Sequence, residues 1–219
     1  MITNDHSPAP LARRLRDGLE RIAGALRSEQ WQAAGALGLT PTQLHILIYL
    51  AGRGDAGARV TEIGRQLGIS QPTASDSAAA LQRKTLIFRA KGAQAWRNTP
   101  AGQIAVSTAG LAATGSMEVL SHLSIGDQES LLLLLIKLIR GLQASGAIVP
   151  QRLCVTCQHF RPNAHPGSDK PHHCAFVNAA FGTVQLRLDC GEHEPADPAS
   201  QAATWETFTT GAASIQASN

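Results

Sequence analysis

The chain has 219 residues, enough for one full domain and a small appendage, with a formal net charge of +3 and 4% aromatic residues. So few aromatics leave the main core to Leu, Ile, Val and Ala, a composition that favours helices. The most apolar run, Leu131 to Ile139, is broken by Lys137 and too short to span a bilayer, and residues 1–18 lack the apolar stretch of a signal peptide. The expectation is a cytoplasmic protein with no membrane partner.

Charge is unevenly spread. Residues 1–150 hold 15 of the 19 Lys+Arg but 10 of the 16 Asp+Glu, so they carry the positive surplus, whereas residues 151–219 are net acidic. A positive first part suits a polyanionic partner, although a modest surplus on a solvated surface decides nothing alone.

In chain order, residues 9–30 predict an amphipathic helix, with Leu11, Leu15, Leu19, Ile22 and Leu26 at three- and four-residue spacing. Thr40-Pro41-Thr42-Gln43 has the form of a capping box with proline at the first helical position. The helix it opens is apolar on nearly every face and belongs at the centre of a domain. After a turn containing Gly52, Gly54 and Gly57, a short helix runs to Gly68, with Thr61 as its expected cap. Ser70 caps a further helix to about Lys84, and Pro72 is tolerated in its first turn. Leu86 to Arg97 predicts two short strands joined at Gly92. Thr99-Pro100 starts the next helix, and Ser124 a long Leu-rich one that ends before Gly146 and Pro150.

Two short helices, a tight turn and a hairpin describe a winged helix-turn-helix, in which the second helix enters the major groove and the first braces it. Ser70, Gln71, Thr73 and Asp76 are the candidates to reach base edges. Arg83, Lys84, Arg89, Lys91 and Arg97 surround the helix end and wing, where phosphates would lie. Between residues 53 and 97 there are 8 basic and 3 acidic residues, a stronger electrostatic signal than the whole-chain charge.

The run ISQPTASDSAAALQRKTLIFRAKGAQAWRNTPAG resembles the core of the MarR family of winged-helix regulators, and LTPTQLHILIYLA resembles that family's second helix. The likeness extends over about residues 10–145. It implies a homodimer, most simply a repressor, whose two recognition helices read a pseudo-palindromic operator in double-stranded DNA. It also implies a pocket for a small lipophilic or phenolic effector, which the sequence does not locate. Three departures stand out. The wing tip Ala93-Gln94-Ala95-Trp96-Arg97 lacks the usual acid, Thr85 replaces a common glycine, and Asp76 stands where a basic residue is frequent.

The four cysteines follow as Cys154-x2-Cys157, then Cys174 after sixteen intervening residues, then Cys190 after fifteen more. Clustered cysteines in a cytosolic protein are more often metal ligands or redox groups than disulfides. Alternation from Thr183 to Asp189 predicts a strand delivering Cys190, and Phe160, Phe176 and Phe181 are placed to shield the sulfurs. Two ligands fit the pattern: a zinc ion, with His172, His173 or His193 able to replace one thiolate, or an iron–sulfur cluster. The string is similar to small high-potential-type iron–sulfur modules, a likeness of about forty residues. A centre of either kind senses redox or iron state, or only stabilises the fold. No catalytic constellation is present, which points to a non-enzyme; a further alternative is an electron-transfer or protein-docking module that does not bind DNA.

The expected architecture is mainly α with a small β-wing, plus a metal-bound C-terminal module. Its parts are a winged helix-turn-helix and dimerisation domain (9–148), a four-cysteine module (151–195) and a mobile tail (196–219) in which Trp205 and Phe208 are candidates to dock.

Overall fold

A computed structural model describes residues 10–90, 92–112 and 114–216. Helices α1 (Leu11–Ala36), α2 (Pro41–Ala51), α3 (Val60–Leu67) and α4 (Gln71–Arg83) lead into a hairpin of β1 (Ile87–Phe88) and β2 (Arg97–Asn98). Then follow α5 (Pro100–Ala112), α6 (Thr114–Ser121) and α7 (Ile125–Ala144). The C-terminal part holds β3 (Phe160–Arg161), β4 (His172–Cys174), β5 (Ala179–Phe181) and α8 (Pro198–Gln216). No single helix among the described residues is long and apolar enough to cross a membrane.

The centre is α2, as its all-round apolarity requires. Leu44, Ile46, Leu47 and Leu50 are buried there against Ala33 and Ala34 of α1, Ile63 of α3, Leu81 of α4 and Ala105 of α5. Its start is fixed by the capping box: Gln43 N–H donates to Thr40 Oγ1 at 3.2 Å, and Thr40 N–H donates to Gln43 Oε1 at 3.3 Å. The wing is anchored by a bridge between Ala58 and Trp96, which brings Trp96 O to 2.3 Å from where a Cβ on Gly57 would sit. Gly57 therefore allows a backbone approach that no other residue permits.

A second core forms around Ile136 of α7, Leu153, Val155, Phe160, Leu186 and Phe208 of α8. Strands β3, β4 and β5 make a small antiparallel sheet beside it, with Phe160 opposite Cys174 and Cys174 opposite Ala179.

Three expectations are corrected. Thr61 is not the cap of α3; the helix begins one residue earlier, and the Glu62 carboxylate reaches back to accept from Arg59 N–H at 2.7 Å. The alternating segment 183–189 is not a strand. Thr183–Gln185 is a turn of 3-10 helix, Val184 points to solvent, and Cys190 is delivered by a loop. The tail is not loose: residues 198–216 are helical, because Phe208 is 1% exposed in the second core and Trp205 packs beside it. The first helix also runs six residues beyond its expected end.

Two predictions follow from this packing. Truncating Phe208 to Ala should destabilise the module by about 3–5 kcal/mol, read as a shifted denaturant midpoint with early exchange of the α8 amides; an unchanged midpoint would return α8 to the status of a loose tail. Thr85 holds φ +58°, the left-handed region costly for a β-branched residue. Thr85→Gly should stabilise the domain by about 1 kcal/mol, and a loss in the same assay would show that the Thr85 hydroxyl matters more than its backbone.

Candidate nucleic-acid interface and four-cysteine centre

Gly68 ends α3 at φ +64°, and two residues later Ser70 Oγ accepts from Thr73 N–H at 3.2 Å to start α4. That turn leaves Ser70, Gln71, Thr73 and Asp76 exposed at the N-terminal end of α4. Ala74, Ala78 and Leu81 on the opposite face are fully buried, so the helix offers a polar face on a rigid base. Thr73 Oγ1 also meets Ser70 Oγ at 2.8 Å, which couples the cap to one of the side chains expected to face a base.

The basic residues divide into groups. Arg83 is exposed at the end of α4, and Arg89 is exposed in the wing, its guanidinium 4.2 Å from the Trp96 ring centroid. Lys84 is exposed too, but its ammonium is engaged: Nζ donates to Gly38 O at 2.5 Å and to Gln43 Oε1 at 3.4 Å, tying the end of α4 to the α1–α2 corner. Arg97 stands half-buried in β2 at the base of the wing, with its Nε enclosed, rather than at the tip. Lys91 lies outside the described residues. Trp96, read from the sequence as part of the wing tip, is 5% exposed and forms the wall of the wing.

All four cysteines carry free thiols and line one inner cavity of about 40 Å³, together with Phe160, Phe176 and Phe181. An outer cavity of about 160 Å³ shares Cys154, Cys174 and Cys190 with it, and half-exposed Phe176 stands on the rim of both. Burial pushes the Cys154 thiol up to about 11, and neighbouring Cys190, Cys157 and Cys174 add to the rise, against the opposing N–H of Arg187. That N–H donates to Cys154 Sγ at 3.2 Å, and Arg187 Nη1 lies 3.8 Å from Cys190 Sγ. Among the described residues, no three His, Cys, Asp or Glu side chains are gathered closely enough to hold one metal ion.

The histidines considered as substitutes lie elsewhere. His172 is 3% exposed among Phe160, Phe181 and Phe208, and burial lowers its pKa to about 4, so it is neutral near pH 7. His193 Nε2 meets Thr156 Oγ1 at 3.0 Å, and His173 Nδ1 lies 3.3 Å from His165 Nε2. The histidine that does line the inner cavity is His159.

Sequence reading also missed Gln151, Arg152 and Asp189. Gln151 Oε1 accepts from Gln66 Nε2 of α3 at 2.9 Å, and its carbonyl accepts from Gln143 Nε2 of α7 at 3.3 Å. Arg152 Nε pairs with Asp189 Oδ1 at 2.5 Å while its Nη2 donates to Gly52 O at 2.8 Å. Their one local signal is adjacency: Arg152 lies two residues before Cys154, and Asp189 immediately precedes Cys190.

Replacing Ser70 by Ala should cost about 1 kcal/mol of stability and Ser70 by Gly only a few tenths. Thermal melts of the two variants check this, and equal losses would mean that the hydroxyl does not hold the helix start.

Residues 37–94 match the model of the MarR family. No curated protein matches the chain. Among solved structures, the transcriptional regulator PA3341 is 20% identical, with 59% of this chain and 98% of that one covered at a TM-score of 0.51. The Mycobacterium tuberculosis MarR family protein Rv2887, solved in complex with DNA, is 23% identical over 60% of this chain and 98% of that one, with a TM-score of 0.49. Staphylococcus aureus MepR in a DNA complex is 25% identical over 57% and 94%, with a TM-score of 0.48. The helix-turn-helix and the start of the wing, residues 37–94, thus carry the MarR family pattern on a fold shared with a solved transcriptional regulator.

Proposed function

We propose that the protein is a homodimeric, sequence-specific DNA-binding transcription regulator whose C-terminal module holds an iron–sulfur cluster. The observation that carries the DNA-binding part is the Ser70-capped α4. It presents Ser70, Gln71, Thr73 and Asp76 to solvent, beside a wing bearing exposed Arg89. The MarR pattern of residues 37–94 supports the same reading. In it, Arg83 and Arg89 meet phosphates and the α4 N-terminus reads base edges in the major groove.

Homodimerisation is supported by two apolar stripes left exposed in the single chain. Leu11, Leu15, Leu19 and Ile22 lie along α1, and Leu131, Leu134, Leu138 and Leu142 along α7. A large continuous apolar face on a folded chain marks an interaction surface, and a twofold dimer matches a pseudo-palindromic site.

For the centre, four thiolates around one zinc sit roughly 3.8 Å apart, the edge of a tetrahedron with Zn–S bonds near 2.3 Å. The four cysteines line one shared cavity with Phe160 and Phe181, and four thiolates at long spacing are a ligand set that iron–sulfur clusters use, which supports that reading, with zinc as the alternative. Cys154, Cys157, Cys174 and Cys190 would hold it, and when bound it supplies a redox-active, oxidant-sensitive group. The chain's own part is to enclose the sulfurs with Phe160 and Phe181 and to donate the Arg187 N–H to Cys154 Sγ.

Duplex affinity should fall steeply with salt, by about 0.9 log unit per phosphate contact per log unit of salt, with Arg83→Ala and Arg89→Ala each lowering the slope by about one. A salt-independent response, or no duplex binding, would favour a docking module instead. Protein purified without oxygen should be brown and contain iron and acid-labile sulfide, whereas a colourless protein with one zinc per chain would overturn the cluster.

A further inference from the structure

The reading of a DNA-binding regulator with an occupied cysteine centre leaves open how the centre could act on the reading head. One arginine joins them. Arg152 is two residues from Cys154, and its own carbonyl accepts from Cys190 N–H at 3.0 Å, so its backbone is held between two of the four cysteine-bearing segments. Its guanidinium leaves the module. Nε binds Asp189 Oδ1, adjacent to Cys190, and Nη2 donates to Gly52 O, the cap of α2.

Helix α2 has no basic residue within its own last turn; just beyond it, Arg53 stacks on Tyr49, its guanidinium 4.7 Å from the ring centroid. Arg152, a hundred residues away in sequence, adds a second cation at that end and bonds the Gly52 carbonyl directly. The rigid planar fork holds an acid and a carbonyl in fixed directions, a geometry that a lysine's flexible point charge reproduces only in part. The Arg152 side chain is 12% exposed and its bond to Gly52 O is part-buried, whereas Asp189 is 59% exposed, so the ion pair faces solvent on its acidic side. The approach is close: a Cβ on Gly52 would stand 3.1 Å from Asp189 Oδ2 and 3.2 Å from Arg152 Nη2. One residue earlier, Gln151 touches α3, the brace of the helix-turn-helix, and α7.

We propose that Arg152 is a positioning residue that couples occupancy of the four-cysteine centre to the helix-turn-helix, by holding the Cys190 loop against the end of α2. With the centre filled, the Cys154 and Cys190 segments are fixed and Arg152 is presented to both Asp189 and Gly52. With it empty, the loop loses its anchor, and α2 and α3 lose an external support. This rests on the proposed function, because it concerns the regulation of that same centre.

The test uses the full chain, purified anaerobically or emptied with a chelator, and a duplex selected from a random-sequence library. Wild-type affinity should differ about tenfold between filled and emptied protein, within the usual range for coupled sites. Arg152→Met should keep the absorption spectrum and iron content of the wild type yet show less than about a twofold difference, and Arg152→Lys should restore the coupling only in part. An Arg152→Met protein that keeps the full tenfold difference overturns the proposal. If Arg152→Met fails to fold or fill, Asp189→Asn is judged by the same criterion. A wild-type protein with the cluster signature but equal affinities fails the sensing step itself, a result separate from loss of the Arg152 link.

Discussion

A helix that is apolar on nearly every face has to be enclosed on nearly every face, and this requirement on α2 organises the chain. Leu44, Ile46, Leu47 and Leu50 are buried, and Ile48 alone among its Leu and Ile side chains stays open to solvent, at 46% exposed. Helices α1, α3, α4 and α5 and the wing strand β2 accordingly pack around it. The polar contacts of the domain also converge on it: Lys84 reaches Gln43 at its start, Asn98 Nδ2 donates to Leu47 O in its middle, and Arg152 meets Gly52 O at its end. Because α4 and the wing are both built against this one element, the spacing between recognition helix and wing is set by core packing, not by the flexible surface around them.

The C-terminal module solves a different problem. A segment of about 45 residues has little apolar surface to bury, and short chains of this kind usually need a metal or disulfides to stay folded. Here part of the deficit is met from outside the segment. Ile136 of α7 enters from one side and Phe208 of α8 from the other, closing over Leu153, Val155 and Phe160. Arg140 of α7 adds a cation–π contact, its guanidinium 4.3 Å from the Trp205 ring centroid. The cysteine cavity therefore sits in a folded frame that has its own core, and the ligand's contribution can be directed to the loops that carry Cys154 and Cys190.

How much of this was legible in the sequence follows from the range of each interaction. Thr40 with Gln43, Gly68 and Ser70 act within three or four residues, and each starts or stops a helix where its chemistry indicates. The Thr61 misreading was also local: Glu62, three residues from Arg59, competes as a capping partner, and the reading chose the hydroxyl over the carboxylate. The segment 183–189 alternates like a strand, but Thr183–Gln185 closes into a 3-10 turn from which Leu186 is buried, and the pairing with residues 152–154 begins at Arg187. The Ala- and Thr-rich tail reads as mobile with Trp205 and Phe208 as docking candidates, and its composition does not say where they dock; Phe208 finds its site about fifty residues upstream. At the interface, exposure of the α4 N-terminus was legible, whereas the bonds of Lys84 to Gly38 and Gln43 and the half-burial of Arg97 depend on tertiary neighbours. The Arg152 bridge, a contact across a hundred residues, leaves no local signature beyond its adjacency to a cysteine.

The claim on which the account turns is that the cysteine centre and the reading head form one mechanical unit joined at the end of α2. Native-state hydrogen exchange on the full chain, with the centre filled and then emptied, tests it most directly. The account predicts that the Cys154 and Cys190 amides, bonded to Arg187 O and Arg152 O, lose protection together with the amides of Leu50 to Arg53 and of α3. Loss confined to the cysteine loops, with α2 and α3 unchanged, would contradict it.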